Sequence, residues 1–342
     1  MPVPPRLIRR LVLAPLILAM DAVLLLVAPV LLLLAAVLSP LYGAWRPVRL
    51  VWIVLVFAAR HLACTVACLG LWVASGFGRN VDSEHMQRAH YAVLRWFMAG
   101  IHRAVLRLAR VEVRTVGSSR AEEVLSVGDR PAVVLSRHAG EGDSFLVLHH
   151  LLCRHGRRPR VVMHEALRLD PLIDVIGHRL PNRFVDPRGG DTEIEIAAMT
   201  RDLDDKGAVL IFPEGGNFSD ARRRRGIERL ERAGHDEEAE WARGMSSVSA
   251  PRPGGALAAI AAAPEADVVF VGHVGMPTSL GDLWRRLSVD NVVELRLWVV
   301  GAEEIPVDHD ARIDWLFGWW RTLDGWVGER EEQPTASSRS SG

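Results

Sequence analysis

Lysine is nearly missing from this 342-residue chain: Lys206 stands alone, and arginine carries almost all of the positive charge. Cysteine is almost as scarce, with Cys64, Cys68 and Cys153 the whole complement. Two of these lie inside an apolar stretch, where a thiol acts as a small hydrophobe, so a disulfide framework is excluded. Cys64 and Cys68 have the spacing of half a metal site, but no further Cys or His pair completes it. His149, His150, His155 and His164 include no helical pair joined to a glutamate in the metalloprotease manner. The reading therefore assigns no metal and no cofactor. Net charge is missing as well, because 41 basic and 41 acidic residues cancel. That removes the electrostatic ground for a nucleic-acid partner. No internal repeat is visible.

What the chain has in surplus is apolar surface, and it is unevenly spread. Hydrophobic residues make up 49% of the whole and concentrate before residue 78. Residues 11–38 contain one charge, Asp21, and would reach about 42 Å as a single helix, enough to cross a bilayer. A signal peptide is the competing reading, since Arg6, Arg9 and Arg10 precede the run. The run is longer than the roughly 7 to 15 residues of a signal core, which favours an uncleaved anchor. The second apolar stretch, 50–76, is interrupted by Arg60 and His61, and a central arginine costs about 2.5–3.5 kcal/mol on insertion scales. Two arrangements stay open: a hairpin of two spans with its arginine-flanked ends on the cytoplasmic side, or a pair of helices dipping into one leaflet. The expected organisation is membrane-anchoring helices over 1–78, a folded domain over 79–330 and a disordered tail over 331–342.

Beyond the anchor, apolar residues from Met86 to Val105 recur at helical intervals, predicting an amphipathic helix over roughly 82–108. Apolar runs of strand length at 111–116, 132–135, 160–163, 208–212 and 268–271 then alternate with helical stretches at 143–153, 191–205 and 218–232. Such alternation predicts an α/β fold, a mostly parallel sheet covered by helices. Residues 292–300 read as another strand, placed at an edge. The Trp-rich segment 313–326 predicts a terminal helix, packed on the sheet or, alternatively, facing the lipid interface.

Two short segments then fall at strand ends, where open α/β sheets place ligands. In the first, His138 precedes Asp143 by five residues, and the glycines Gly140 and Gly142 allow a tight loop. The carboxylate can return to one ring nitrogen and leave the other free to accept a hydroxyl proton. Backbone donors near this loop are expected to stabilise an oxyanion. In the second, Phe212-Pro213-Glu214-Gly215-Gly216 forms an amide-rich turn before a helix, a cradle suited to phosphate.

The order and spacing of these two segments, with the anchor before them, resemble the lysophospholipid acyltransferase family in its 1-acylglycerol-3-phosphate acyltransferase branch, over about residues 80–330. The resemblance implies acyl transfer from acyl-CoA or an acyl carrier protein to the free hydroxyl of a lysophospholipid, most simply lysophosphatidate, at the cytoplasmic face of a membrane. It makes His138 the base and Asp143 its orienting partner. It makes Phe212, Pro213, Glu214, Gly215 and Gly216 the acceptor loop. A third family motif, a glycine followed by an arginine at a strand end, matches loosely from Gly177 to Arg188. Arg188 is the first choice for a phosphate clamp and Arg183 the second. The family continues its glutamate-glycine pair with threonine and arginine, whereas this chain has Gly216-Asn217-Phe218. The run Arg222-Arg223-Arg224-Arg225 stands nearby to replace the missing contact or to meet anionic lipid. The segment Pro251-Arg252-Pro253-Gly254-Gly255 resembles the family's arginine-glycine stretch before its last core helix. Rival readings are another acceptor (glycerol 3-phosphate, a glycolipid, another lysolipid) and a non-catalytic membrane adaptor of the same fold.

Overall fold

The structure is a computed structural model and describes residues 3–140, 142–185, 192–277 and 279–332. Seven strands are present among them: β1 Val111–Thr115, β2 Ala132–Ser136, β3 Arg158–His164, β4 Arg183–Val185, β5 Gly207–Ile211, β6 Asp267–Val274 and β7 Asn291–Val300. Two compact units emerge, each built from segments distant in sequence. The first comprises Met1–Glu112, Leu148–Glu195 and Leu280–Val292; the second comprises Val113–Val147, Ile196–Ser279 and Val293–Gly342.

The second unit carries the strands in the order β1-β7-β6-β2-β5. β2 pairs in parallel with β5, Ala132 opposite Ala208, and with β6, Ala132 opposite Asp267. Every residue of β2 and β5 is buried, as expected for parallel strands covered on both faces, and this explains their unbroken Ala, Val, Leu and Ile runs. The α/β, mostly parallel architecture expected from the alternation is thus the one observed. β7 runs antiparallel to β6. It is not an edge strand, because β1 lies outside it; the outer place falls to β1, whose burial alternates between half-buried and exposed.

The terminal helix His309–Glu332 packs on β6 through Trp319, which stacks on Phe270 at 4.9 Å. Trp320 and Trp326 are buried, so the sheet-packing account holds and the tryptophans form no lipid belt. Glu331 and Glu332 close this helix; the rest of the expected tail lies outside the described residues.

The first unit holds the apolar N-terminus, the amphipathic helix Glu84–Leu108 and the parallel pair β3–β4. Residues 11–38 do not form one straight helix. Arg6–Leu26 and Ala28–Tyr42 are bent by 60° at Val27. Pro29 opens the second helix, where its missing N–H costs nothing but its ring cannot continue the first one straight. The next helix, Arg46–Ala74, is long and apolar enough to cross a membrane.

Candidate active site

The loop after β2 is shaped by two buried carboxylates that collect its amide groups. Asp143, the first residue of the helix Asp143–His149, is fully buried. Its Oδ2 lies 3.3 Å from Nδ1 of His138 and accepts the N–H of Ala139 and, at 2.7 Å, that of Gly140. Burial pushes this carboxyl up, yet the neighbouring His273, the His138 contact and the Gly140 amide outweigh it and hold Asp143 below its ordinary value. An ionised Asp143 keeps Nδ1 of His138 protonated, which leaves Nε2 as the acceptor on a side chain that is 18% exposed. At Gly142 the requirement is room: a β-carbon there would lie 2.5 Å from the methyl of Met276.

Glu214 is the second carboxylate, and it works as a strut. Its Oε1 accepts the N–H of His138 at 2.8 Å and its Oε2 that of Ser249 at 2.9 Å. Burial pushes its carboxyl up to about 7, against the opposing pull of these two amides and of Arg137. Both oxygens face backbone and the residue is 2% exposed, so Glu214 locks the histidine loop to the 247–250 segment. The glycine turn is tied to the same loop, with Phe218 N–H donating to the His138 carbonyl at 2.6 Å. The Phe212 ring leans on the His138 imidazole with centroids 4.5 Å apart. Arg137 N–H donates to Val271 O at 3.0 Å. The four amides of residues 137–140 are therefore all engaged, which removes them as the oxyanion donors expected near this loop.

Gly215 and Gly216 both take positive φ, +71° and +152°, where a side chain would be strained. Arginines crowd the space a side chain would fill. A β-carbon at Gly216 would lie 2.4 Å from an Arg222 guanidinium nitrogen, and one at Gly215 would lie 3.1 Å from the Arg252 guanidinium. Arg222 Nη1 donates to Gly215 O at 3.2 Å. Burial, with Arg222 close by, lowers the pKa of Arg252; burial, with Arg252 close by, lowers that of Arg229. Two guanidiniums thus stand beside the glycine turn, and Arg252 has a further like-charged neighbour in Arg229. Arg222 occupies the region where the arginine missing after the glutamate-glycine pair was expected. Arg252 was singled out only as part of a likeness, because a 37-residue separation from Gly215 hides the contact in the sequence.

His273 escaped the sequence reading altogether. It lies on β6, fully buried, with Nε2 3.6 Å from Oδ2 of Asp143. Burial pushes its pKa down to about 4, aided by Arg137 and His138 and opposed by Asp143. Its one trace in the sequence is a histidine within an otherwise apolar strand, Val268–Val274. Arg137, also buried, donates to the carbonyls of His273 at 2.7 Å and Ser247 at 3.1 Å.

The structure brings His138, Asp143, Phe212, Pro213, Glu214, Gly215 and Gly216 together in the second unit. Arg183 belongs to the first, where its Nε pairs with Glu195 at 2.9 Å beside a cavity of about 620 Å³ that Arg168, His178 and Phe184 also line. Arg188 lies outside the described residues.

A buried carboxylate orienting a partly exposed imidazole at the carboxyl end of a parallel strand is an arrangement that can remove a proton from a hydroxyl. Residues 110–271 match the family model described as Acyltransferase. Over these residues the chain is similar to that family, and the likeness supports an acyltransferase. No curated protein matches it.

Proposed function

We propose that this acyltransferase moves a fatty acyl group from acyl-CoA or an acyl carrier protein to the free hydroxyl of a lysophospholipid, most simply lysophosphatidate, at the cytoplasmic face of a membrane. One observation carries the reading: the imidazole of His138, oriented by Asp143, stands in the same unit as a glycine turn crowded by Arg222 and Arg252. Nε2 of His138 takes the hydroxyl proton as the oxygen attacks the thioester carbonyl. The tetrahedral intermediate collapses by breaking its C–S bond, and the departing thiolate receives the proton back from the imidazolium. No acyl-enzyme is needed. A phosphomonoester on the acceptor matches the Arg222 and Arg252 guanidiniums beside the turn, which supply charge and paired donors in place of the threonine and arginine absent after Gly215. Arginines at 6, 9 and 10, ahead of the apolar stretch, favour the cytoplasmic side.

The test is an acceptor panel with one acyl-CoA and membranes containing the full chain. Turnover of lysophosphatidate, lost in Arg222→Ala/Arg252→Ala through a raised KM for that acceptor, supports the assignment. Turnover of an uncharged lysolipid or glycolipid with no effect of the double variant would overturn the acceptor and leave the acyl transfer standing.

A further inference from the structure

His273 is a polar residue in a place that packing reserves for hydrocarbon. Along β6, alternate residues point to opposite faces of the sheet. Phe270 meets Trp315, Trp319 and Trp320 of the terminal helix, and a β-carbon on Gly272 would lie 3.1 Å from the Trp326 ring, so the even positions face that helix. His273 points the other way, with Val269 and Val271, and its partner on β7 is Leu295. All three of these neighbours are buried. A buried imidazole costs free energy that a leucine would not, unless its polar atoms have something to meet.

What it meets is Asp143. Nε2 of His273 lies 3.6 Å from Oδ2, the same oxygen that faces Nδ1 of His138 and accepts the amides of Ala139 and Gly140. The imidazole is held there through its own backbone. β6 is paired with β2 on one side and β7 on the other, and Arg137 donates to the His273 carbonyl at 2.7 Å.

The charged groups around the two rings come from four places. Asp143 opens the helix Asp143–His149, Arg137 stands in the loop after β2, and Glu214 reaches the His138 amide from the turn after β5. From the terminal helix, Glu331 reaches Arg137 at 3.5 Å and Asp324 takes the amides of 246–248. Glu294 and Arg296 of β7 stand opposite Val274 and Gly272, on the face turned away from His273. Burial, aided by Arg137 and His138 and opposed by Asp143, keeps the His273 ring neutral, with one N–H to give. An N–H turned to Oδ2 draws charge off the oxygen on which Nδ1–H of His138 depends. The less charge that oxygen offers, the less it stabilises His138 as imidazolium, and the more of His138 stands ready to accept a proton.

We propose that His273 is a positioning residue for the acyl transfer: it turns Nε2–H to the back of Asp143, holds that carboxylate against His138 and keeps the base in its neutral, proton-accepting form. The inference rests on the base assignment made above and is independent of which acceptor is used. It is tested on the full chain in membranes, with one acyl-CoA and one acceptor from the panel above, so that any titration of the substrates is common to every protein. The acid limb of kcat/KM reports protonation of the base in the free enzyme. In His273→Leu that limb is expected to move up by about half a pH unit or more, and in His273→Gln, which restores an N–H, to return toward the wild type. A His273→Leu protein that folds normally and keeps the wild-type limb overturns the proposal, because a packing role alone lowers the plateau without moving the limb. A limb moved to lower pH overturns it as well. Should the leucine variant fold poorly, His273→Met carries the same prediction. Full activity in His138→Ala would instead remove the base assignment itself, so the two failures are distinct.

Discussion

Two of the histidine–aspartate pairs, one in each compact unit, are arranged for opposite things with the same chemistry. His138 faces Asp143 across a loop after β2, and His61 faces Asp21 between apolar helices. In the first pair one ring nitrogen is fixed and the other is unspoken for on a partly exposed ring. In the second, both ring nitrogens face carboxylates and the side chain is 2% exposed. A base needs a free nitrogen that a substrate can reach. A cross-link needs neither, and gains from burial because removing one partner strands the other. Identity of residue types therefore says little about role; what surrounds the second nitrogen says most of it.

Breaking each pair in turn separates the roles. His138→Ala is expected to lower kcat by about 10²- to 10⁴-fold, the usual worth of a positioned general base, with an unchanged thermal midpoint. Full activity in a normally folded His138→Ala protein would end the assignment of the base. His61→Ala is expected to do the reverse. It leaves Asp21 buried without its partner and costs about 3–5 kcal/mol of stability, read as a lowered denaturation midpoint in detergent, while kcat per folded molecule stays near wild type. A loss of kcat without a loss of stability would mean that His61 takes part in turnover.

The first pair was legible in the sequence because its members are five residues apart and flanked by an apolar strand and a helix start. The second was not. Asp21 and His61 read as isolated interruptions of apolar runs, since nothing in a linear pattern says that two helices will lay them side by side. The same limit hid the job of Glu214, identified as part of an acceptor loop but found with both oxygens on the amides of His138 and Ser249. Partners 76 and 35 residues away leave no periodic trace. The parallel sheet, by contrast, was readable from its short buried runs. The bend at Val27 was missed because Pro29 sits in a stretch whose hydropathy is uniform on both sides of it.

The smallest expected effect sharpens the comparison from inside the active site, where Asp143 has a second imidazole at its back. His273 has a folded pKa of about 4, below its ordinary 6.5, so the unfolded chain binds a proton that the folded chain refuses. The sign follows: stability from this group is fully present above about pH 6.5 and is lost as the pH falls toward 4. Between pH 7 and pH 5 the loss amounts to about 2 kcal/mol. His273→Gln keeps a polar side chain beside Asp143 but cannot take up the proton, so its unfolding free energy should fall less steeply with acid than that of the wild type. Equal slopes for the two proteins in urea titrations from pH 7 to pH 5 would mean that His273 opens to water or shares its proton with Asp143. It would then stand closer to His138, the proposed base, than to the locked His61.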